Sequence, residues 1–141
     1  MTDTSIPTRA SSALGQWVKD FYYGVFFQPD DEVSANALDE LLAEDFTARV
    51  NYDRFTRESF SEIIKKFRLS NVSTLKSTRE VHVWHAPDGS GAGCVSQFVR
   101  INDTNNESGV ITEVSTLLIA NVQVIGGQKK LVELTEVFVS E

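Results

Sequence analysis

Two glutamates stand three positions apart in the run Lys130-Leu-Val-Glu-Leu-Thr-Glu-Val-Phe-Val139. A strand sends successive side chains to opposite faces, so Glu133 and Glu136 point opposite ways. Glu133 shares its face with Leu131, Thr135, Val137 and Val139, whereas Glu136 shares the other with Val132, Leu134 and Phe138. A carboxyl held among apolar neighbours has a raised pKa and can act as a general acid or base. Periodicity alone leaves open which glutamate is the inward one. Arg79 alternates with Leu75, Ser77, Val81 and Val83. An inward arginine there would bind a carboxylate or enolate oxygen, or neutralise Glu136 as an ion pair. Tyr22 and Tyr52 bring phenolic donors beside apolar residues. Asn121 and Gln123 alternate with Ile119 and Ile125, so two amides line the interior in one register. A shift of one residue puts Ala120, Val122 and Val124 there instead.

Other chemistries are disfavoured by composition. Cys94 is the only cysteine, which leaves no intrachain disulfide framework and no thiolate zinc site. His82 and His85, three apart in a strand, lie on opposite faces and cannot chelate one metal together. Neither a metal nor a cofactor is expected. The formal charge of −7 and pI near 4.8 argue against a nucleic-acid surface. The one basic cluster, Lys65, Lys66 and Arg68, reads as a solvated helix face. Residues 1–12 read as a flexible leader without the apolar core of a signal peptide, and no run approaches a membrane span. The expectation is a cytoplasmic protein that does not contact membranes.

One domain must position these groups, since 141 residues suffice for a single core. From Ala13, the residues Leu14, Trp17, Val18, Phe21, Val25 and Gln28 form a helical stripe that ends at Pro29. A second helix over about 33–43 is capped by Asp31 or Ser34 and turns Leu38, Leu41 and Leu42 inward. A short strand over 45–51 follows, then a third helix capped by Thr56, with Phe60, Ile63, Ile64 and Phe67 on one side. After Ser70 the period becomes two, predicting strands near 72–86, 93–103, 109–125 and 129–140. Short turns between them imply antiparallel hairpins. Strands this long must bend, and helices closing a bent sheet leave room for a small-molecule pocket. The fold class is therefore α+β: three helices packed on a strongly curved antiparallel sheet, forming a cone-shaped barrel with an internal pocket.

This order of elements resembles a known family. Leu41-Leu-Ala-Glu-Asp-Phe-Thr-Ala-Arg-Val-Asn-Tyr52, followed by Thr56-Arg-Glu-Ser-Phe60, is similar to the helix end, strand and capped helix of the nuclear transport factor 2-like superfamily. Gly126-Gly-Gln-Lys-Lys-Leu-Val-Glu-Leu134 resembles that family's turn into its last strand. The resemblance covers 13–141 and makes that span one domain. It implies relatives as different as SnoaL-like polyketide cyclases, ketosteroid isomerase, scytalone dehydratase and non-catalytic binding or dimerisation modules. It also implies that Val132, Leu134, Glu136 and Phe138 face the concave side, with Glu133 outside. The general-base position of ketosteroid isomerase falls near Val50 or Asn51, neither of which abstracts a proton, and its acidic oxyanion donor falls near Asn121. Tyr52 falls on the substrate-binding tyrosine of scytalone dehydratase, and Arg79 on its catalytic histidine.

The resulting expectation is a cofactor-independent cyclase, isomerase or dehydratase for an apolar substrate, or else a ligand-binding or dimerisation module. Glu136, Arg79 and Tyr52 are the candidate catalytic residues, and Tyr22, Asn121, Gln123, Leu134 and Phe138 the candidate substrate contacts. Apolar residues on both sheet faces, with Trp84 and His82 outside, further predict a homodimer through the outer face.

Overall fold

The computed structural model describes residues 11–141. The leader expected over 1–12 lies almost wholly outside the described residues, and α1 spans Ala13–Tyr22. Ser12 caps α1 by accepting from the Gly15 N–H at 2.9 Å, and its own hydroxyl donates to Glu80 at 2.8 Å. The helix then widens into a single π turn, Tyr23–Phe27, closed by the Gln28 N–H on the Tyr23 carbonyl at 3.0 Å. Such turns are uncommon and concentrate at functional sites.

Next comes α2, Asp31–Leu41. Its cap is Asp30 rather than Asp31 or Ser34, because Ser34 is buried and donates its hydroxyl to the Val25 carbonyl. Leu42 does not belong to the helix but starts β1, Leu42–Val50. The four-residue β2, Asp53–Thr56, has too short a pattern to be read from sequence. In α3, Arg57–Ser70, Thr56 and Ser59 form a reciprocal capping box. Arg68 is not solvated as expected. Its guanidinium donates to the Val25 and Gln28 carbonyls at 3.0 and 2.9 Å and meets Asp31 at 2.8 Å, pinning the π turn.

Four long strands complete the chain: β3 Asn71–His85, β4 Gly93–Asn105, β5 Ile111–Ile125 and β6 Gln128–Ser140. The sheet order is β2-β1-β6-β5-β4-β3. All neighbours are antiparallel except β1 and β6, which run parallel. Gly126 and Gly127, with φ of 61° and 78°, make the two-residue turn into β6 that few other residues tolerate.

Bulges set which side chains face the helices. In β3 the register slips between Leu75 and Ser77 and again between Glu80 and His82. Each slip inverts the alternation. Thr78 and Glu80 therefore turn inward beside Val99 and Gln97, while Ser77 and Arg79 turn outward beside Arg100 and Phe98. In β6 a slip opposite Asn121 and Val122 makes Val132 the extra residue, so Leu131 and Leu134 are both fully buried.

The core lies between α1, α3 and the concave face, built from Leu14, Val18, Phe21, Phe46, Leu118 and Leu134 among others. Gln97, buried on β4, donates to the Gly15 carbonyl at 2.9 Å and ties α1 to the sheet. A Cβ on Gly93 would sit 2.1 Å from the Trp84 carbonyl of β3. Gly93→Ala is expected to cost about 2–3 kcal/mol through the forced backbone shift, read from urea unfolding.

Candidate functional site

The third-helix stripe divides in two. Phe60 and Ile64 are buried in the core, but Ile63 and Phe67 remain partly exposed. All four line a cavity of about 280 Å³ between α3, the π turn and the sheet, with Ile63 and Phe67 on its more exposed side. Phe26, Phe55, Ile101 and Phe138 supply more of its apolar wall. Tyr22, Ser73, Asp103, Thr116, Glu136 and the rim residue Asp53 supply its polar groups.

Glu136 reaches this cavity from β6. Tyr22, at the last turn of α1, donates its phenolic proton to the Glu136 Oε1 at 2.7 Å. Among the described residues no cation pairs with that carboxyl. Burial pushes the Glu136 pKa up, and the Tyr22 hydrogen bond partly offsets the rise. Tyr22 is held well above the usual phenol value, first by burial and then by the charge and hydrogen bond of Glu136, so it remains a donor. Tyr22 also stacks on Phe26 with ring centres 5.3 Å apart, which fixes the hydroxyl's direction.

Asn51 holds the Glu136 segment from behind. It occupies the turn between β1 and β2 with φ of 55°, a conformation its short polar side chain tolerates. Its N–H donates to the Glu136 carbonyl at 3.0 Å, and its side-chain amide exchanges two 2.9 Å hydrogen bonds with the Phe138 backbone. A second carboxyl, Asp103 of β4, accepts from the Ser73 hydroxyl at 2.7 Å. Burial raises its pKa, and the Ser73 bond opposes the rise. Thr116 of β5 is 2% exposed, and its hydroxyl has no hydrogen-bond partner among the described residues. It stands opposite Phe138, one inward position from Glu136 along the sheet.

The sequence-derived candidates are thus separated. Tyr22, Glu136 and Phe138 meet at the cavity. Leu134 is inward but wholly within the packed core. Arg79 is exposed on the outer face, displaced there by the β3 bulge between Leu75 and Ser77. Tyr52 is 93% exposed, because a two-residue turn projects it into solvent. Asn121 and Gln123 face outward, since Thr116, Leu118, Ala120 and Val122 fill the concave side of β5. Val132 is the bulged residue rather than a concave one. Asp103 and Thr116 were missed, yet each follows the inward alternation of its own strand, Val95–Gln97–Val99–Ile101 and Leu118–Ala120–Val122.

Removing the phenolic hydroxyl should leave the Glu136 carboxylate without its donor. Tyr22→Phe is expected to cost about 1.5–3 kcal/mol at a pH where Glu136 is ionised, and less where it is protonated. Urea unfolding at two pH values reads the difference.

Helices closing a bent, mostly antiparallel sheet, with an acid-bearing cavity between them, define an α+β cone. The particular fold is the nuclear transport factor 2-like fold, as comparison with solved structures shows. A ketosteroid isomerase-like protein from Erwinia carotovora atroseptica superposes with a TM-score of 0.71 at 11% identity, over 92% of this chain and 96% of that one. ActVI-ORFA from Streptomyces coelicolor gives 0.62 at 14% identity, over 92% and 98%. An NTF2-like protein from Cytophaga hutchinsonii gives 0.57 at 12% identity, over 88% and 97%. No family model matches the sequence, and no curated protein matches it. Among the described residues no helix is long and apolar enough to cross a membrane.

Proposed function

We propose that this protein is a cofactor-independent acid/base catalyst that moves a proton on an apolar small molecule held in the Glu136 cavity. The observation carrying this reading is the Glu136–Tyr22 pair: a cavity-facing carboxyl with one phenolic donor, apolar walls and no cationic partner. Tyr22 occupies Oε1, which leaves Oε2 to take a proton from carbon beside a substrate carbonyl. The electron pair then moves onto the carbonyl oxygen to give an enolate. Where the substrate is a β,γ-unsaturated ketone, return of the same proton to the γ-carbon of the dienolate gives the conjugated isomer. Where the substrate carries a β-hydroxyl, the enolate expels it as water with the proton that Glu136 took up, which gives a dehydration and restores the carboxylate. The ketosteroid isomerase-like neighbour agrees with this class of chemistry, although its likeness extends to the fold alone.

The test is solvent-deuterium incorporation into a panel of apolar ketones, followed by NMR with the wild type and Glu136→Gln. Exchange that needs Glu136 supports the reading. Binding without exchange makes the protein a ligand carrier and overturns it.

We propose further that the outer sheet face joins two copies of the chain. Phe98, Leu117 and Val137 form one cross-strand row on that face, with Ile119 in the next. Leu117, Ile119 and Val137 are 42%, 51% and 57% exposed in the single chain. One sheet face can meet its own copy about a twofold axis. Sedimentation equilibrium should show a dimer that Leu117→Lys dissociates; a wild-type monomer at micromolar concentration would exclude it.

A further inference from the structure

We infer that the ligand of this cavity is elongated and carries a hydroxyl at the end remote from its carbonyl, held by the Asp103–Ser73 pair while the carbonyl end lies at Glu136. The inference rests on the cavity being the site of proton transfer, as proposed above, and adds the ligand's length and its second polar group. Glu136 and Tyr22 mark one end of the cavity, and Asp53 stands in the same sheet row as Glu136 through Val50. Asp103 and Ser73 mark the other end. Across the sheet Glu136 stands opposite Leu118 and Leu118 opposite Gln97, and Asp103 comes six positions after Gln97 along β4. A straight strand covers about 20 Å in six residues, a span that the bend of this sheet shortens. The rows between the two ends carry Phe138 and Ile101, and α3 and the π turn add Phe60, Ile64, Phe67 and Phe26 to the wall. Thr116 lies in one of these rows too, but its hydroxyl has almost no open surface and offers a ligand nothing.

An apolar body fills such a span without burying an unpaired polar group, so a polar group on the ligand belongs at one end or the other. The remote end is built for a single donor. Ser73 donates its hydroxyl to Asp103 Oδ1 at 2.7 Å, which orients the carboxyl. Among the described residues Asp103 has no other side-chain hydrogen bond and no ion pair, so its second oxygen is left to accept. A ligand hydroxyl brings that oxygen one proton, and a bond to a carboxylate is among the stronger hydrogen bonds. An ammonium would bring three donors to one free acceptor and leave two without partners. An ether or a second ketone would set one acceptor against another. A ligand carboxylate would meet like charge, and among the described residues lining the cavity there is no lysine, arginine or histidine to offset it. Asp103 and Ser73 are thus specificity-determining residues, and proton transfer stays with Glu136.

A ladder of straight-chain methyl ketones, each made with a methyl and with a hydroxyl at the far end, tests this by calorimetric titration into the full chain. At short lengths the hydroxyl should weaken binding, because it loses water against an apolar wall and gains no partner. At the length that reaches Asp103, the hydroxylated ketone should bind about tenfold more tightly than its methyl-ended partner. Asp103→Leu should remove that gain and leave the methyl-ended ketones bound as well as before, while Glu136→Gln keeps the gain. A hydroxyl that strengthens binding at no length in the wild type, or a gain that survives Asp103→Leu, would overturn the inference. Methyl-ended ketones that bind, and exchange deuterium only where Glu136 is present, would then still leave the proton-transfer reading standing. Binding of no ketone from either ladder would overturn both.

Discussion

Glu136→Gln is expected to lower turnover by about 10²–10⁴-fold and at the same time to make the protein more stable at neutral pH. Both effects come from one cause. Burial raises the Glu136 pKa in the folded chain, so the folded state keeps a proton that the unfolded state gives up. That contribution to stability is fully present below the unfolded carboxyl's pKa and is lost as the pH rises through the higher folded value. Above it the wild type carries a buried charge supported by one phenolic donor. Glutamine keeps an acceptor for Tyr22 but carries no charge, and cannot take up a proton. The gain should be on the order of 1–2 kcal/mol at neutral pH and should shrink towards zero in acid. Urea unfolding of both proteins from acid to neutral pH, starting below the ordinary carboxyl value, measures it. A variant less stable than the wild type across that range would mean that Glu136 contributes to folding as a charged group.

Leu134→Ala should have the largest effect on stability alone. Leu134 is wholly buried, and its loss opens a void among Leu118, Ala120 and the helix residues that cover them. The expected cost is about 2–5 kcal/mol, with cavity ligands still bound by the folded fraction, because Leu134 does not line the site. Phe138→Ala provides the contrast. Phe138 lines the cavity, so its removal should weaken binding more than it weakens the fold. Denaturant midpoints and probe affinities on the two variants separate them. Equal losses of affinity would return Leu134 to the binding surface.

These contrasts show where sequence patterning carries information and where it stops. The four long strands lie within a few residues of their expected limits, because Gly126-Gly127 and the Pro87–Gly91 stretch break the chain whatever packs around them. Glu136 could be assigned inward only through resemblance, since periodicity is symmetric between the two faces. Arg79 was misplaced because the β3 bulge between Leu75 and Ser77 has no residue signature, and it inverts the side chains that follow up to the second bulge at Glu80–His82. In β6 the bulge at Val132 comes before Leu134, so the faces from there to the strand end match the expectation. Tyr52 was misplaced because β2 reverses the chain right after it, and four residues give no pattern to read. The parallel pairing of β1 with β6 was not legible either, since no local turn encodes it. Thr116 and Asp103 were legible in principle. Both follow the inward alternation, but a threonine in a strand and an aspartate at the edge of a polar loop look ordinary without their neighbours.

The β1–β6 pairing also bears on how the site comes into being. Leu42 is joined to Leu131 and Val50 to Glu136, so a long loop must close before the two strands meet. The hairpins from β3 to β6 can zip locally, whereas this contact is the slow, non-local one. Glu136 is enclosed only once it forms, when α1 brings Tyr22 across it and β1 docks alongside. The penalty of enclosing that carboxyl is then absent from the early stages of folding. The added stability of Glu136→Gln should consequently appear as slower unfolding, with the folding rate scarcely changed. In this molecule the reactive group would set how long the native state lasts, and not how quickly it is reached.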